Sequence, residues 1–245
     1  MCDPKPIFAP GKGRKMRIVV LFSGGASAVP FMLGSDLFEV VGAISSSKSA
    51  SGIEKLRKLA IPVEVLDIKE FYAGRPISDM SVRREYEERL IQIIKEKGWR
   101  PDVIACSGYM YILTERFLRE FPNRVLNVHP ADLSITEGGR RKYTGLHAVR
   151  DQIEAGERET RSTIHLMNEI PDQGPIIVIS EPLPVEGRSP EEQQSLMKEK
   201  CDGPAYRKAL ELIARGMVAV DCDGNVYILK NGKWVRGFVR MGEEI

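Results

Sequence analysis

Apolar and polar positions follow two rhythms along this chain, and the switches between them mark its elements. Arg17-Ile18-Val19-Val20-Leu21-Phe22 is a short β-branched run closed by Ser23-Gly24-Gly25. That pattern predicts a buried strand entering a tight turn and then a helix. Residues 40–44, 62–66, 101–106 and 125–129 repeat the strand pattern, and a helix is expected over 53–60. In residues 81–97, Tyr86, Leu90, Ile93 and Ile94 fall on one face among charged neighbours, which predicts an amphipathic helix. Strands alternating with helices imply an α/β fold with a doubly wound, mostly parallel sheet.

The rhythm changes after His129. Residues 130–143 form a polar loop with a basic centre, Gly138-Gly139-Arg140-Arg141-Lys142, and a helix follows from Leu146. Residues 162–167 alternate like an exposed edge strand and 174–179 are a continuous apolar strand, so the two are expected to form an antiparallel pair. Ser189-Pro190 starts a helix with Ser at N-cap and Pro at N1, running to Arg215 with a break near Gly203-Pro204. Residues 226–235 predict a C-terminal hairpin turning at Asn231-Gly232.

Composition narrows the class. The 245 residues suit one large α/β domain or two small ones, and a net charge of +2 gives no charge-based case for nucleic acid or membrane partners. No apolar run approaches the roughly 20 residues of a membrane span. Cys2, Cys106, Cys201 and Cys222 are scattered, with no C-x-x-C pair, which favours a reduced, cytoplasmic setting without a metal site. Residues 1–15, rich in Pro, Gly and Lys, are expected to be a loose arm, and residues 16–245 a single domain.

The candidate chemistry gathers in the middle of the chain. His129 and Asn127 sit on one side of a strand at its carboxyl end, where α/β sheets bind ligands. Asn donates to a carbonyl oxygen, His shuttles a proton near neutral pH, and Asp172, in a turn, is placed to orient the imidazole. These are the parts that acyl transfer to an amine needs: donors for a developing oxyanion and a proton carrier for the nitrogens. By residue type alone, a strand-end His and a turn Asp read equally as structural groups.

Five segments, in order, carry a resemblance: Pro101-Asp102-Val103-Ile104, Gly108-Tyr109-Met110-Tyr111-Ile112-Leu113, Leu126-Asn127-Val128-His129-Pro130, Ser162-Thr163-Ile164-His165 and Asp172-Gln173-Gly174-Pro175. Together with Gly145-Leu146-His147 they make the chain, from about Met16 to Gly216, resemble the folate-dependent formyltransferases, most closely the purine-pathway branch. The resemblance implies a formyltransferase-like variant of the Rossmann sheet. It implies formyl transfer from 10-formyltetrahydrofolate to glycinamide ribonucleotide, without a metal. Asn127, His129 and Asp172 would be catalytic, and Met110, Tyr111, Ile112, Leu113 and His165 would border the folate. Ser23, Gly24, Gly25, Ala26, Ser27 and Arg83 would hold the phosphorylated amine. Residues 16–107 would then be the amine half, 108–216 the folate and catalytic half, and 217–245 a C-terminal hairpin, with a homodimer left open.

The chain departs from that family on the acceptor side. Ala26 and Ala28 stand where the family's first turn carries Gly and Asn, Tyr111 stands where it carries Arg, and the loop after His129 is longer and basic. Arg140, Arg141 and Lys142 read either as a phosphate clamp or as a solvated loop. Another amine acceptor, such as a nucleotide-linked amino sugar, and a non-catalytic folate-binding relative are the alternatives. An ATP pyrophosphatase loop is also suggested by Ser23-Gly24-Gly25, but Ser27 and Ala28 fill its Asp and Ser positions.

Overall fold

Met16–Phe22 (β1) places alternate side chains in two separate cores, so this strand is buried on both faces. The computed structural model describes residues 2–242; Met1 and residues 243–245, parts of the expected arm and C-terminal segment, lie outside the described residues. Beside β1 run Phe38–Ser45 (β2) and Val63–Val65 (β3) on one side, and Val103–Cys106 (β4) and Val125–His129 (β5) on the other, all parallel. Thr163–Leu166 (β6) adds antiparallel to β5, followed by Ile176–Ile179 (β7) and Val239–Arg240 (β8). The sheet has eight strands in the order β8-β7-β6-β5-β4-β1-β2-β3. The chain leaves β1 in one direction and returns on its other side, so a crevice opens at the carboxyl ends of β1 and β4.

Helices cover both faces. Gly52–Lys58 (α1) and Gly203–Ala214 (α7) pack on one core. Ile68–Tyr72 (α2), Met80–Glu96 (α3) and Glu115–Glu120 (α4) pack on the other, with Tyr86, Leu90, Ile93 and Ile94 buried as the spacing predicts. Ala148–Glu154 (α5) and Pro190–Met197 (α6) flank the strand ends, and Ser189 caps α6 in a reciprocal box with Glu192. The Tyr206 hydroxyl on α7 reaches the carbonyls of Cys106 at 2.7 Å and Leu126 at 3.1 Å, tying that helix to β4 and β5.

Four sequence expectations need correction. The helix expected after the first turn is only a 3₁₀ turn, Val29–Met32; Pro30 lies within it, Gly34 at positive φ follows its end, and Ala26 takes a left-handed φ of 47°. Residues 162–167 do not form an edge strand: β6 lies inside the sheet, wholly buried. Its polar positions are satisfied internally, as where the Thr163 hydroxyl donates to the Ala131 carbonyl at 2.6 Å. The predicted break near Gly203 is a π turn over 198–202 that carries the helical path onward.

The fourth concerns the ends of the chain. Residues expected to be loose are anchored: Lys5–Pro6 pairs with Val218–Val220, Phe8 is buried, and Cys2 is disulfide-bonded to Cys222, so these two cysteines are not free thiols. The predicted hairpin is present as Val226–Lys230 and Lys233–Arg236, with Asn231 and Gly232 both at positive φ. It extends the arm into a four-stranded sheet. Neither the strand pairing of the arm nor the disulfide is visible in sequence, because the partners lie near opposite ends of the chain, the two cysteines 220 residues apart.

Gly42 in β2 is required by a close approach: a Cβ there would lie 2.2 Å from the buried Trp99 ring. Gly42→Ala is expected to lower stability by about 1–3 kcal/mol through overpacking, read as a lower urea midpoint with unchanged slope. An unchanged midpoint would show that the Trp99 ring gives way freely.

Candidate active site

The alternation of β5 sends Leu126 and Val128 into one core and turns Asn127 and His129 to the other face. In the neighbouring register His165 faces Asn127, and Thr163 faces His129. The turn between β6 and β7 brings Asp172 over this group in a left-handed conformation, φ 57°. Asp172 Oδ1 lies 3.3 Å from His129 Nδ1 and 3.9 Å from His165 Nε2, while its Oδ2 accepts from the Gly145 amide at 2.8 Å. Asn127 and His129 on one strand, with Asp172 and His165 from distant parts of the chain, therefore share one cleft.

The hydrogen bonds define what each ring can do. His129 Nε2 is 2.9 Å from the Tyr143 carbonyl and its Nδ1 faces the Asp172 carboxylate. Both partners are acceptors, so only the imidazolium donates to both. Burial pushes the His129 pKa down; the Asp172 charge and the Tyr143 carbonyl partly oppose this, and Arg141 adds to the depression. Burial thus disfavours the charged ring, while both of its partners are placed to receive its protonated form. His165 Nδ1 donates to the Leu166 carbonyl at 2.9 Å, and burial pushes its pKa down to about 4. Its neutral Nε2 is left as an acceptor, 3.5 Å from the Asn127 amide nitrogen, which orients that amide with a second N–H free.

The cleft, about 670 Å³, is lined by the 23–27 turn, by 106–113, by the strand-end residues and by the turn holding Asp172. Met110, Ile112, Leu146 and Ile170 are exposed apolar side chains on its walls. Tyr111 and Leu113 also line it, and His165 stands on its floor. Ser23 lines it too, but its hydroxyl is already engaged with Ser46 at 2.7 Å and with the Met110 amide at 3.0 Å. With no α-helix behind the first turn, and the Ala28 amide donating to the Ser107 hydroxyl at 3.3 Å, the expected helix-terminal anion site is reduced.

Arg83 is a correction. It is buried on α3 beneath the Tyr111 ring, 5.0 Å away, and its Nε donates to the Tyr72 hydroxyl at 2.9 Å; it is not on the cleft wall. The third histidine, His147, is exposed and lies off the cleft. Gln194, Lys198 and Asp202 line the far wall and were missed in sequence. Their i, i+4, i+8 spacing on one helical face was the available signal. Burial pushes the Asp202 carboxyl up to about 6, although it accepts from the Ser162 hydroxyl at 2.6 Å.

An open α/β sheet with convergent polar groups in a cleft at its strand ends is the architecture of a small-molecule enzyme. Residues 16–202 match the family described as formyl transferase. The chain belongs to the formyl transferase family. It is 27% identical to the phosphoribosylglycinamide formyltransferase of Escherichia coli, over 91% of this chain and 94% of that one. It is 28% identical to the trifunctional purine biosynthetic protein adenosine-3 of Drosophila melanogaster, over 84% of this chain but only 14% of that one. The chain thus spans a small fraction of the length of these trifunctional relatives. Among solved structures, glycinamide ribonucleotide transformylase 1 from Symbiobacterium toebii superposes with a TM-score of 0.72 at 25% identity, covering 90% of this chain and 100% of that one. Phosphoribosylglycinamide formyltransferase from Anaplasma phagocytophilum, at 23% identity and a TM-score of 0.73 over 93% of this chain and 100% of that one, shares the fold.

The buried His165 sets a pH dependence. An unfolded histidine takes up its proton near 6.5, whereas the folded ring does so near 4, so stability from this group falls as pH drops through that window. Asp202 acts in the opposite sense between about 6 and 3.8, so the test is a difference. Relative to His165→Asn, the unaltered protein is expected to lose more of its urea midpoint between pH 7 and 4.5. Parallel midpoints across that range would show that His165 protonates without cost in the fold.

Proposed function

We propose that this protein transfers a formyl group from 10-formyltetrahydrofolate to a primary amine, with glycinamide ribonucleotide as the leading acceptor. The observation that carries this is the convergence of Asn127, His129 and Asp172 on one cleft floor. The Asn127 N–H left free by His165 donates to the formyl oxygen, where negative charge develops as the amine adds to the carbon. The amine's proton passes to the neutral His129, whose imidazolium is stabilised by Asp172 and the Tyr143 carbonyl. The departing folate nitrogen takes a proton back as the carbon–nitrogen bond breaks. The apolar walls at Met110, Ile112, Leu146 and Ile170 suit a flat heteroaromatic ring, which supports a folate donor.

Lys198, a cation among the side chains that line the cleft, and the purine-pathway relatives support the ribonucleotide. A different amine is the second reading, favoured by the 3₁₀ turn, by Ala26 and Ala28, and by the displaced Arg83. No helix of the described residues is long and apolar enough to cross a membrane.

Asn127→Ala, His129→Ala and Asp172→Ala are each expected to reduce kcat by about two to four orders of magnitude with folate binding retained. The measurement is deformylation of 10-formyltetrahydrofolate against a panel of amines, glycinamide ribonucleotide first. Unimpaired turnover by His129→Ala would remove the imidazole from the mechanism, and turnover with only another amine would select the second reading.

A further inference from the structure

The long loop after His129 folds back as a two-rung antiparallel hairpin, Thr136–Glu137 against Arg140–Arg141. The two arginines at its second strand are placed differently. Arg140 is exposed, whereas Arg141 is half-buried and donates through Nη1 to the main-chain carbonyl of Asp172. Its Nη1 is thus engaged by the main chain of the protein rather than held ready for a ligand phosphate.

Asp172 needs such support. A non-glycine residue at φ 57° sits in the left-handed region, at a cost of about 1–2 kcal/mol that the surrounding contacts must hold. Gly145 takes one carboxylate oxygen, which leaves the other for His129. The carbonyl of the same residue goes to a guanidinium that the hairpin delivers from 31 positions earlier. The same loop, through the Tyr143 carbonyl, receives the other nitrogen of His129. One loop therefore contacts both members of the pair.

We infer that Arg141 is a positioning residue for the His129–Asp172 pair, clamping the Asp172 main chain so that the carboxylate stays against the imidazole. The inference rests on the proposed roles of those two residues. It assigns the basic loop to the reaction centre rather than to phosphate binding or to solvent. Its charge also acts on the ring. The charged or titratable groups about His129 are Asp172 from the β6–β7 turn, His165 from β6 and Arg141 from the hairpin; the nearby Asp132 is paired with Arg240 at 2.9 Å. Arg141 itself disfavours the imidazolium, but the Asp172 carboxylate that it holds in place favours it more strongly, so releasing that carboxylate lowers the His129 pKa.

The test compares Arg141→Ala, Arg141→Lys and Arg140→Ala. His129 is titrated by NMR in the free protein, and kcat and KM are measured with 10-formyltetrahydrofolate and the acceptor that the unaltered protein uses. Arg141→Ala is expected to lower the His129 pKa, as the carboxylate drifts from the ring, and to lower kcat about 10- to 100-fold, the scale of a misplaced catalytic group, with acceptor KM unchanged. A raised His129 pKa with kcat intact would show that Arg141 acts only as a nearby charge and overturns the inference. Arg141→Lys, which keeps the charge, restores the titration and part of kcat, while Arg140→Ala changes neither. A rise in acceptor KM with kcat and the titration unmoved, or an Arg141→Ala protein indistinguishable from Arg140→Ala, overturns the inference. The titration requires no acceptor, so absence of turnover in the unaltered protein counts against the formyl-transfer proposal alone.

Discussion

The contact between the Asp172 carboxylate and the His129 ring, 3.3 Å apart and nearly closed to solvent, is the constraint on which the rest of the site depends. It joins the end of β5 to the turn between β6 and β7, and the loop that follows β5 closes over both. Burial makes the arrangement consequential in two ways. It favours the neutral imidazole, and it strengthens the two acceptors that await the protonated form. A similar pair in water would be worth little.

The sheet supplies the stiffness that this contact needs. Asn127 and His129 stand on a strand paired on both sides, and His165 faces Asn127 across the antiparallel ladder. Their spacing is therefore set by backbone hydrogen bonds rather than by flexible loops. The Tyr206 hydroxyl pins α7 across the same strands from the opposite core. At the acceptor end the scaffold is different. A short 3₁₀ turn replaces a helix, and Ser23 and Ala28 have their polar groups engaged within the protein. The polar cluster at the strand ends is thus built on a stiff ladder, whereas the first turn is an irregular loop with its polar groups already engaged.

Much of this was legible before coordinates. The β-branched runs located β1, β2, β4, β5 and β7, because continuous apolar segments bounded by turn residues suit strands buried on both faces. The 3.6-residue spacing identified α3, and Asn231-Gly232 identified the hairpin. The strand-end location of Asn127 and His129 followed from the same pattern. β6 was misread as an edge because Thr163 and His165 are polar, and only their internal hydrogen bonds show why polar positions there belong inside. Arg83 was misplaced for a related reason: residue type shows that a cation is present, but not which aromatic rings cover it.

By itself, then, the sequence determined the alternation of strands and helices, the strand that carries the amide and imidazole, and the residues able to do proton and oxyanion chemistry. These are properties of spacing and side-chain type, which act over a few residues. Tertiary structure decided which distant groups meet: Asp172 on His129, Arg141 on Asp172, Lys198 and Asp202 on the far wall, and Cys2 on Cys222. Such meetings depend on how loops close and how helices cross the sheet, and no local pattern encodes those distances.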